Sequence, residues 1–122
     1  MTVRLRFRGG RPGADERPYA DVVTTVALVN DLMDRSRISG AVPGTAFAAG
    51  PDACAGADVV IVDLGGHAET VADVRRIAPD ARIVAFGRHD SPDALARARA
   101  DGADVAVARS RFFRDPAAVV GP

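Results

Sequence analysis

The sequence predicts an α/β fold in which helices cover both faces of a doubly wound parallel sheet. Strand-like and helix-like segments alternate along the chain with short links, and this alternation is typical of parallel sheets. One predicted strand contains four consecutive β-branched residues, Val59 to Val62. A strand that is apolar on both faces belongs in the centre of such a sheet. The same strand ends in Asp63, and open α/β sheets place functional groups at the carboxyl ends of their strands.

Five segments have the apolar composition of strands, and they cover residues 24–29, 45–48, 58–64, 82–86 and 104–108. With five strands, we expect the strand order 2-1-3-4-5, which is the topology of a flavodoxin-like sandwich. That order places strands 1 and 3 side by side, so the residues that follow them should be neighbours. We therefore expect a crevice above these two strands.

Five segments are predicted as helices, and they cover residues 32–39, 51–56, 67–78, 91–101 and 116–120. Gly40 ends the first helix, and the second has room for barely a turn or two. The third carries apolar residues at helical spacing and ends at Pro79. The fourth begins with Ser91 as a cap and Pro92 at the first helical position, and Gly102 ends it. The fold prediction thus includes a short second helix and a curtailed last helix.

The composition of the 122-residue chain fits one domain, for which we expect a cytoplasmic location. Sixteen basic and 16 acidic residues give no net charge, so we expect neither nucleic acid nor a membrane surface as a partner. No apolar run approaches the ~20 residues that span a bilayer, and the first residues lack a signal-peptide core. Cys54 is the only cysteine, which excludes an intramolecular disulfide, and we expect its thiol to be buried.

Residues 1–20 are predicted to form a flexible basic arm, and residues 21–122 the folded domain. Val3, Leu5 and Phe7 alternate with arginines, as in a short edge strand, before glycines and prolines break regular structure. One interpretation is an arm that binds nucleic acid or a partner. The other, which is the more common for chain termini, is a disordered extension.

Polar residues follow four of the predicted strands, namely Asn30 and Asp31, Asp63, Gly87 to His89, and Arg109 with Ser110. Facing carboxylates of Asp31 and Asp63 repel each other unless a proton or cation lies between them. Mg²⁺, held by one or two carboxylates and several waters, would remove this repulsion. Arg109 could neutralise the pair or receive an anion. The alternative is that each aspartate only caps the helix that follows it.

Three motifs are similar to those of response-regulator receiver domains, the CheY-like phosphoacceptor modules of bacterial two-component signalling. VALVND (residues 26–31) resembles the first receiver strand with its acidic pair, and ADVVIVDL (57–64) resembles the third strand with its phosphoacceptor aspartate. ALARARADGADVAVARS (94–110) resembles the passage from the fourth helix to the fifth strand. The resemblance covers about residues 25–120 and implies a stand-alone receiver-like domain, with no DNA-binding output domain expected after residue 122.

The resemblance implies roles for five residues of the crevice. Asp63 falls on the phosphoacceptor, and Asp31 would hold Mg²⁺ with Asp63, while Asn30 replaces the second acid of the pair. Gly87 stands where receivers carry a switch Thr or Ser, yet it has no hydroxyl. Arg109 stands at the receiver lysine but is planar and bulkier. These departures indicate a degenerate receiver.

Three functional hypotheses remain open. The first is an atypical signalling module, not an enzyme, that binds another protein of a phosphorelay, such as a histidine kinase or an output protein. The second is a working single-domain receiver that accepts a phosphoryl group on Asp63 with Mg²⁺. The third is a small-ligand or metal-binding flavodoxin-like protein with Asp63, His67 and His89 as ligands. For both histidines the alternative is a solvated loop position.

The strand 5 face carries Phe112 and Phe113. In receivers the surface of helix 4, strand 5 and helix 5 is a dimer or output face, and exposed aromatic residues favour interfaces. We therefore expect a homodimer through this face. The alternative is that one phenylalanine packs under the last helix while the other is exposed.

Overall fold

The computed structural model describes residues 23–121, and the predicted basic arm lies outside them. Over that range five parallel strands form one sheet in the order β2-β1-β3-β4-β5. The strands are β1 (Thr25–Leu28), β2 (Ala46–Phe47), β3 (Val59–Asp63), β4 (Arg82–Gly87) and β5 (Val105–Ala108). The predicted fold class and strand order are confirmed.

The helices are α1 (Leu32–Ala41), α2 (Leu64–His67), α3 (Val71–Ile77), α4 (Pro92–Ala100), α5 (Arg109–Arg114) and α6 (Pro116–Val120). Two single turns of 3-10 helix, Pro51–Cys54 and Ala68–Thr70, connect neighbouring elements. The helix predicted for residues 67–78 is therefore divided, because a helical turn begins directly after β3. α5 was not predicted. Ser91 precedes α4, but within the described chain its hydroxyl makes no capping bond and only its backbone carbonyl accepts from the first turn. None of the described helices has the length and apolar character that crossing a bilayer requires.

Side chains of β3 alternate between two apolar layers, which explains why the strand is hydrophobic throughout. Val60 and Val62 pack into the layer under α3 and α4, together with Ala98. Val59 and Ile61 face the opposite layer under α1, α5 and α6. Burial on both faces makes β3 the centre of the domain, as the sequence predicts.

Arg75 of α3 ties the amino-terminal ends of β4 and β5 together. Its guanidinium donates hydrogen bonds to the backbone carbonyls of Pro79, Ala81 and Gly102, at 2.9–3.2 Å. It also pairs with Asp104 at 2.8 Å. Strands β4 and β5 start beside these contacts. The network therefore stabilises the amino-terminal end of the sheet, which is opposite the predicted crevice.

Phe112 is fully buried, so it cannot contribute to an exposed face, and this agrees with the alternative in which one phenylalanine packs inward. Its ring stacks on Phe86 of β4 with centroids 4.7 Å apart. Phe113 is half-buried and meets Phe86 edge-on at 5.1 Å. Since β4 offers an aromatic surface for α5, Phe112 belongs to the core layer that also holds Val120 of α6. A homodimer through this face stays a prediction. Of the two rings, only that of Phe113 has exposed surface that could contact a second copy.

Candidate functional site

The predicted crevice residues share one edge of the sheet because of the strand register. Leu28 of β1 pairs with Val62 of β3, so the residues that follow both strands leave the sheet together. Gly87 of β4 pairs with Ala108 of β5, which places Arg109 one residue beyond the same edge. The sheet therefore brings Asn30, Asp31, Asp63, Gly87 and Arg109 to its carboxyl end.

Asp31 and Asp63 both cap helices. Asp31 Oδ1 accepts a hydrogen bond from the backbone N–H of Asp34 at 3.0 Å and begins α1. Asp63 Oδ1 accepts from the backbone N–H of Gly65 at 2.9 Å and begins α2. A carboxylate has about four lone-pair positions, so a single capping bond leaves each aspartate able to bind a cation. Capping and cation binding are thus compatible roles for these residues.

Arg109 pairs with Asp34, a residue that the sequence analysis did not single out. Two guanidinium nitrogens donate to the two carboxylate oxygens at 3.0 Å each. The Asp34 side chain is 6% exposed and that of Arg109 is 39% exposed. The hydrogen bonds to Asp34 raise the pKa of Arg109, and the charges of Asp63 and Asp31 add to this effect. Arg109 therefore interacts electrostatically with Asp63 and Asp31, but its hydrogen bonds go to Asp34.

Gly87, at the end of β4, lies close to the side chains of Leu64 and Leu95. A Cβ built on Gly87 would lie 3.3 Å from Leu64 Cδ1 and 3.5 Å from Leu95 Cδ2. Leu64, which directly follows Asp63, is buried at 8% exposure. A Cβ at 3.3 Å is a tight contact, so any side chain at residue 87 would require Leu64 to shift.

Asn30 and His67 contact each other beside the carboxyl ends of β1 and β3. His67 is buried, and its Nε2 lies 3.1 Å from Asn30 Oδ1. A Cβ on Gly66 would lie 3.1 Å from Asn30 Nδ2, so the amide lies close to the loop backbone. The prediction that His67 is a solvated loop residue is wrong, because α2 turns its ring inward onto Asn30.

The three-residue metal site suggested by the sequence is not assembled. Within residues 23–121, no group of three or more His, Cys, Asp or Glu side chains is placed to hold a metal ion. His67 is hydrogen-bonded to Asn30, whereas His89 lies in the loop between β4 and α4 and lines a different cleft. The set of Asp63, His67 and His89 therefore does not form a transition-metal site.

The strand order is that of a flavodoxin-like sheet, and solved receiver structures share this fold. A response regulator from Burkholderia pseudomallei, with a phosphorylated aspartic acid, a calcium ion and citrate, is 19% identical with a TM-score of 0.64. The alignment covers 82% of this chain and 66% of that protein, slightly under two thirds of its length. A receiver domain protein from Clostridium thermocellum is 15% identical with a TM-score of 0.67, covering 81% and 91% of the two chains.

The isolated receiver domain of RcsB from Salmonella enterica serovar Typhimurium, in the apo form, is 13% identical with a TM-score of 0.58. That alignment covers 75% of this chain and 80% of the RcsB domain. Neither a protein-family model nor a curated protein matches the sequence. The structural likeness confirms the receiver fold that the three sequence motifs predict.

Proposed function

We propose that this chain is a signalling receiver module that acts by binding another protein and has lost the phosphorylation switch. The observation that carries the proposal is the packing around Gly87. A Cβ added to this residue would lie within 3.5 Å of the Leu64 and Leu95 side chains. A switch needs a hydroxyl that moves toward the phosphoryl group and space through which it moves. Gly87 lacks the hydroxyl, and a side chain at this position would press against Leu64.

The pairing of Arg109 supports the same proposal. A receiver cation at this position would contact a phosphoryl group on Asp63. Here the guanidinium donates both of its paired hydrogen bonds to Asp34. Turning toward Asp63 would leave the buried Asp34 carboxylate without its cation, which is costly in a site of low exposure. Arg109 is therefore held in one position.

An apolar surface beside the crevice supports a protein partner. Leu32 and Met33, at the start of α1, are 76% and 72% exposed. They follow Asp31 directly, so a protein that covered them would also cover the mouth of the crevice. Neighbouring exposed apolar residues often mark interaction sites. A histidine kinase or an output protein of a phosphorelay is the class of partner we propose.

A second candidate is a working receiver, and the placement of Asp31 and Asp63 favours it. Both carboxylates reach the same edge of the sheet with one capping bond each. A carboxylate pair suits Mg²⁺, which would be held by Asp31 and Asp63 with Asn30 nearby. Bound Mg²⁺ would neutralise charge as an Asp63 oxygen attacks the phosphorus of a donor and the leaving group departs with its electron pair.

Amide NMR spectra with Mg²⁺, with and without beryllofluoride, separate the two candidates. We expect no beryllofluoride-dependent shifts for Gly87 and Arg109, because no group there can follow an acyl-phosphate mimic. The Asp63→Asn variant is the matched control, since it keeps the capping oxygen and removes the attachment point. Shifts at Gly87 and Arg109 that appear in the wild type and disappear in Asp63→Asn would overturn the first proposal and support a working receiver.

A further inference from the structure

A cleft of about 510 Å³ lies between α1, the loop after β4, and α5. Its lining includes four arginines, one histidine and one aromatic ring, contributed by Arg37, Arg88, Arg109, Arg114, His89 and Phe113. No acidic side chain is among these lining residues. The chain as a whole has no net charge, so this concentration of positive charge is local.

Two of the four arginines are matched by carboxylates. Asp34 binds Arg109, and Asp90 binds Arg88 at 2.9 Å and 3.0 Å in a pair open to water. Arg37 and Arg114 form no ion pair with any residue of the described range 23–121. The cleft therefore keeps two formal positive charges that these carboxylates do not balance.

Phe113 positions the guanidinium groups. The Arg37 guanidinium carbon lies 4.4 Å from the ring centroid, and that of Arg109 lies 5.1 Å from it. A guanidinium stacked on a ring keeps its N–H groups in its own plane, where they can bind an anion edge-on. The ring itself is fixed by edge-on contacts with Phe86 and Phe112. Arg37 is thus held at one wall of the cleft as a donor that is free within the described chain, beside Arg109, whose paired N–H groups bind Asp34.

We propose that this cleft binds a small organic phosphate of about nucleotide size. Its volume falls within the range of about 300–1,000 Å³ typical of ligand pockets. A phosphate monoester carries about −1.5 to −2 charges at neutral pH, which matches the two unbalanced arginines. Guanidinium groups bind phosphate oxygens in pairs and also stack on planar bases. This site shares Arg109 with the proposed function but uses neither Asp63 nor Asp31, so variants at Arg37 and Arg114 test it separately.

Isothermal titration of the full chain with ADP, inorganic pyrophosphate and adenosine tests the proposal. We expect ADP and pyrophosphate to bind, with an affinity that falls as salt increases, and adenosine not to bind. Arg37→Gln and Arg114→Gln should each weaken ADP binding about tenfold, because each removes a charge-assisted contact. Arg97→Gln, in an exposed pair on α4, is the matched control and should leave binding unchanged. Asp63→Asn should also bind ADP normally.

Three outcomes would overturn the proposal. Failure of both ADP and pyrophosphate to bind at millimolar concentration would remove the site. Equal losses in Arg37→Gln and Arg97→Gln would show non-specific attraction to surface arginines. A single-stranded oligonucleotide that binds much more tightly than ADP, and depends on Arg37 and Arg114, would identify a nucleic-acid surface in place of a small-molecule site. Circular dichroism of each variant confirms that it is folded.

Discussion

Arg109 and Asp34 form a bidentate ion pair in which both N–O distances are 3.0 Å. The pair joins α5 to α1 across a separation of 75 residues. It places a nearly buried carboxylate opposite a half-exposed guanidinium. The same contact stabilises the packing of these helices and takes up both of the paired hydrogen bonds that the guanidinium can donate.

Arg109→Ala should lower the free energy of unfolding by about 1–3 kcal/mol. Removing one partner of a fully buried pair costs about 3–5 kcal/mol, and the 39% exposure of Arg109 reduces this through solvent screening. Urea unfolding measures the change. Arg97→Ala breaks an exposed pair with Asp101 and should cost less than about 0.5 kcal/mol. Equal losses in the two variants would contradict a structural role for the Asp34 pair.

The sequence predicted the sheet because its signals are local. The β-branched run of β3 and the Gly and Pro residues between segments determine secondary structure within a few residues. α5 lacks such signals, since its cap position is Ala108, which makes no side-chain capping bond to the described chain. The helix is stabilised by Phe112 stacking on Phe86 of β4. That contact depends on the assembled sheet and could not be read from the local sequence.

The sequence predicted those site residues whose position depends only on where a strand ends. Asp31 and Asp63 follow strands and lie at the carboxyl edge as expected, and their capping bonds are short-range. The partner of Arg109 was not predictable, because Asp34 is one of many acidic residues and only α1 packing selects it. The sequence showed that Gly87 lacks a hydroxyl, but not that Leu64 packs within 3.4 Å of its built Cβ.

Gly102→Ala and Gly40→Ala should have opposite effects on stability. Gly102 has φ +123°, and a Cβ there would lie 2.9 Å from Arg75 Cβ and Cγ. The strained backbone and the clash should cost about 2–4 kcal/mol. Gly40 lies in α1 with no atom within 4 Å of a built Cβ, so alanine there should stabilise the protein by about 0.5 kcal/mol. Thermal unfolding of both variants measures the difference, and a loss at Gly40 would contradict this account.

Cys54 should make the protein less stable at alkaline pH. Burial raises the pKa of its thiol, because the thiolate is poorly solvated inside the domain. The folded state therefore favours the thiol. Its stabilising contribution is complete below the pKa of the unfolded state, about 8.5, and is lost as pH rises through the folded value.

Urea unfolding of wild type and Cys54→Ala between neutral and alkaline pH tests this. Cys54→Ala should start from a lower stability because it removes a buried side chain, but its stability should decline less with pH. A second measurement is the reaction of the wild-type thiol with a disulfide reagent, which should be slow in buffer and fast in urea. Fast labelling of the native protein would show that the thiol is accessible.

Phe112→Ala should destabilise the domain far more than Phe113→Ala. Phe112 is fully buried and stacks on Phe86, and such truncations cost about 3–5 kcal/mol. Phe113 is half-buried, so its loss should cost less. Sedimentation of Phe113→Ser addresses the predicted homodimer, because this ring is the part of the pair with exposed surface. A sedimentation coefficient equal to that of wild type would exclude a dimer through Phe113.

Gly87→Thr should not restore a receiver switch, because Leu64 obstructs the added side chain. A Cβ at residue 87 lies 3.3–3.5 Å from Leu64 and Leu95 atoms, so Leu64 must already shift slightly for it, and threonine adds two further heavy atoms. Overpacking of this kind costs about 1–3 kcal/mol. Gly87→Ala adds only the Cβ, and its effect should stay within about 1 kcal/mol. Urea unfolding separates the two variants.

The double variant Leu64→Ala with Gly87→Thr tests whether Leu64 is the obstruction. Leu64→Ala alone should cost about 2–5 kcal/mol through the cavity it leaves. If threonine fills that cavity, the double variant will lose less stability than the sum of the single losses by more than about 0.5 kcal/mol. Additive losses would mean that threonine clashes elsewhere, with Leu95 as the other neighbour. A non-additive loss would show that Leu64, the residue after Asp63, is the side chain that obstructs a hydroxyl-bearing residue at position 87.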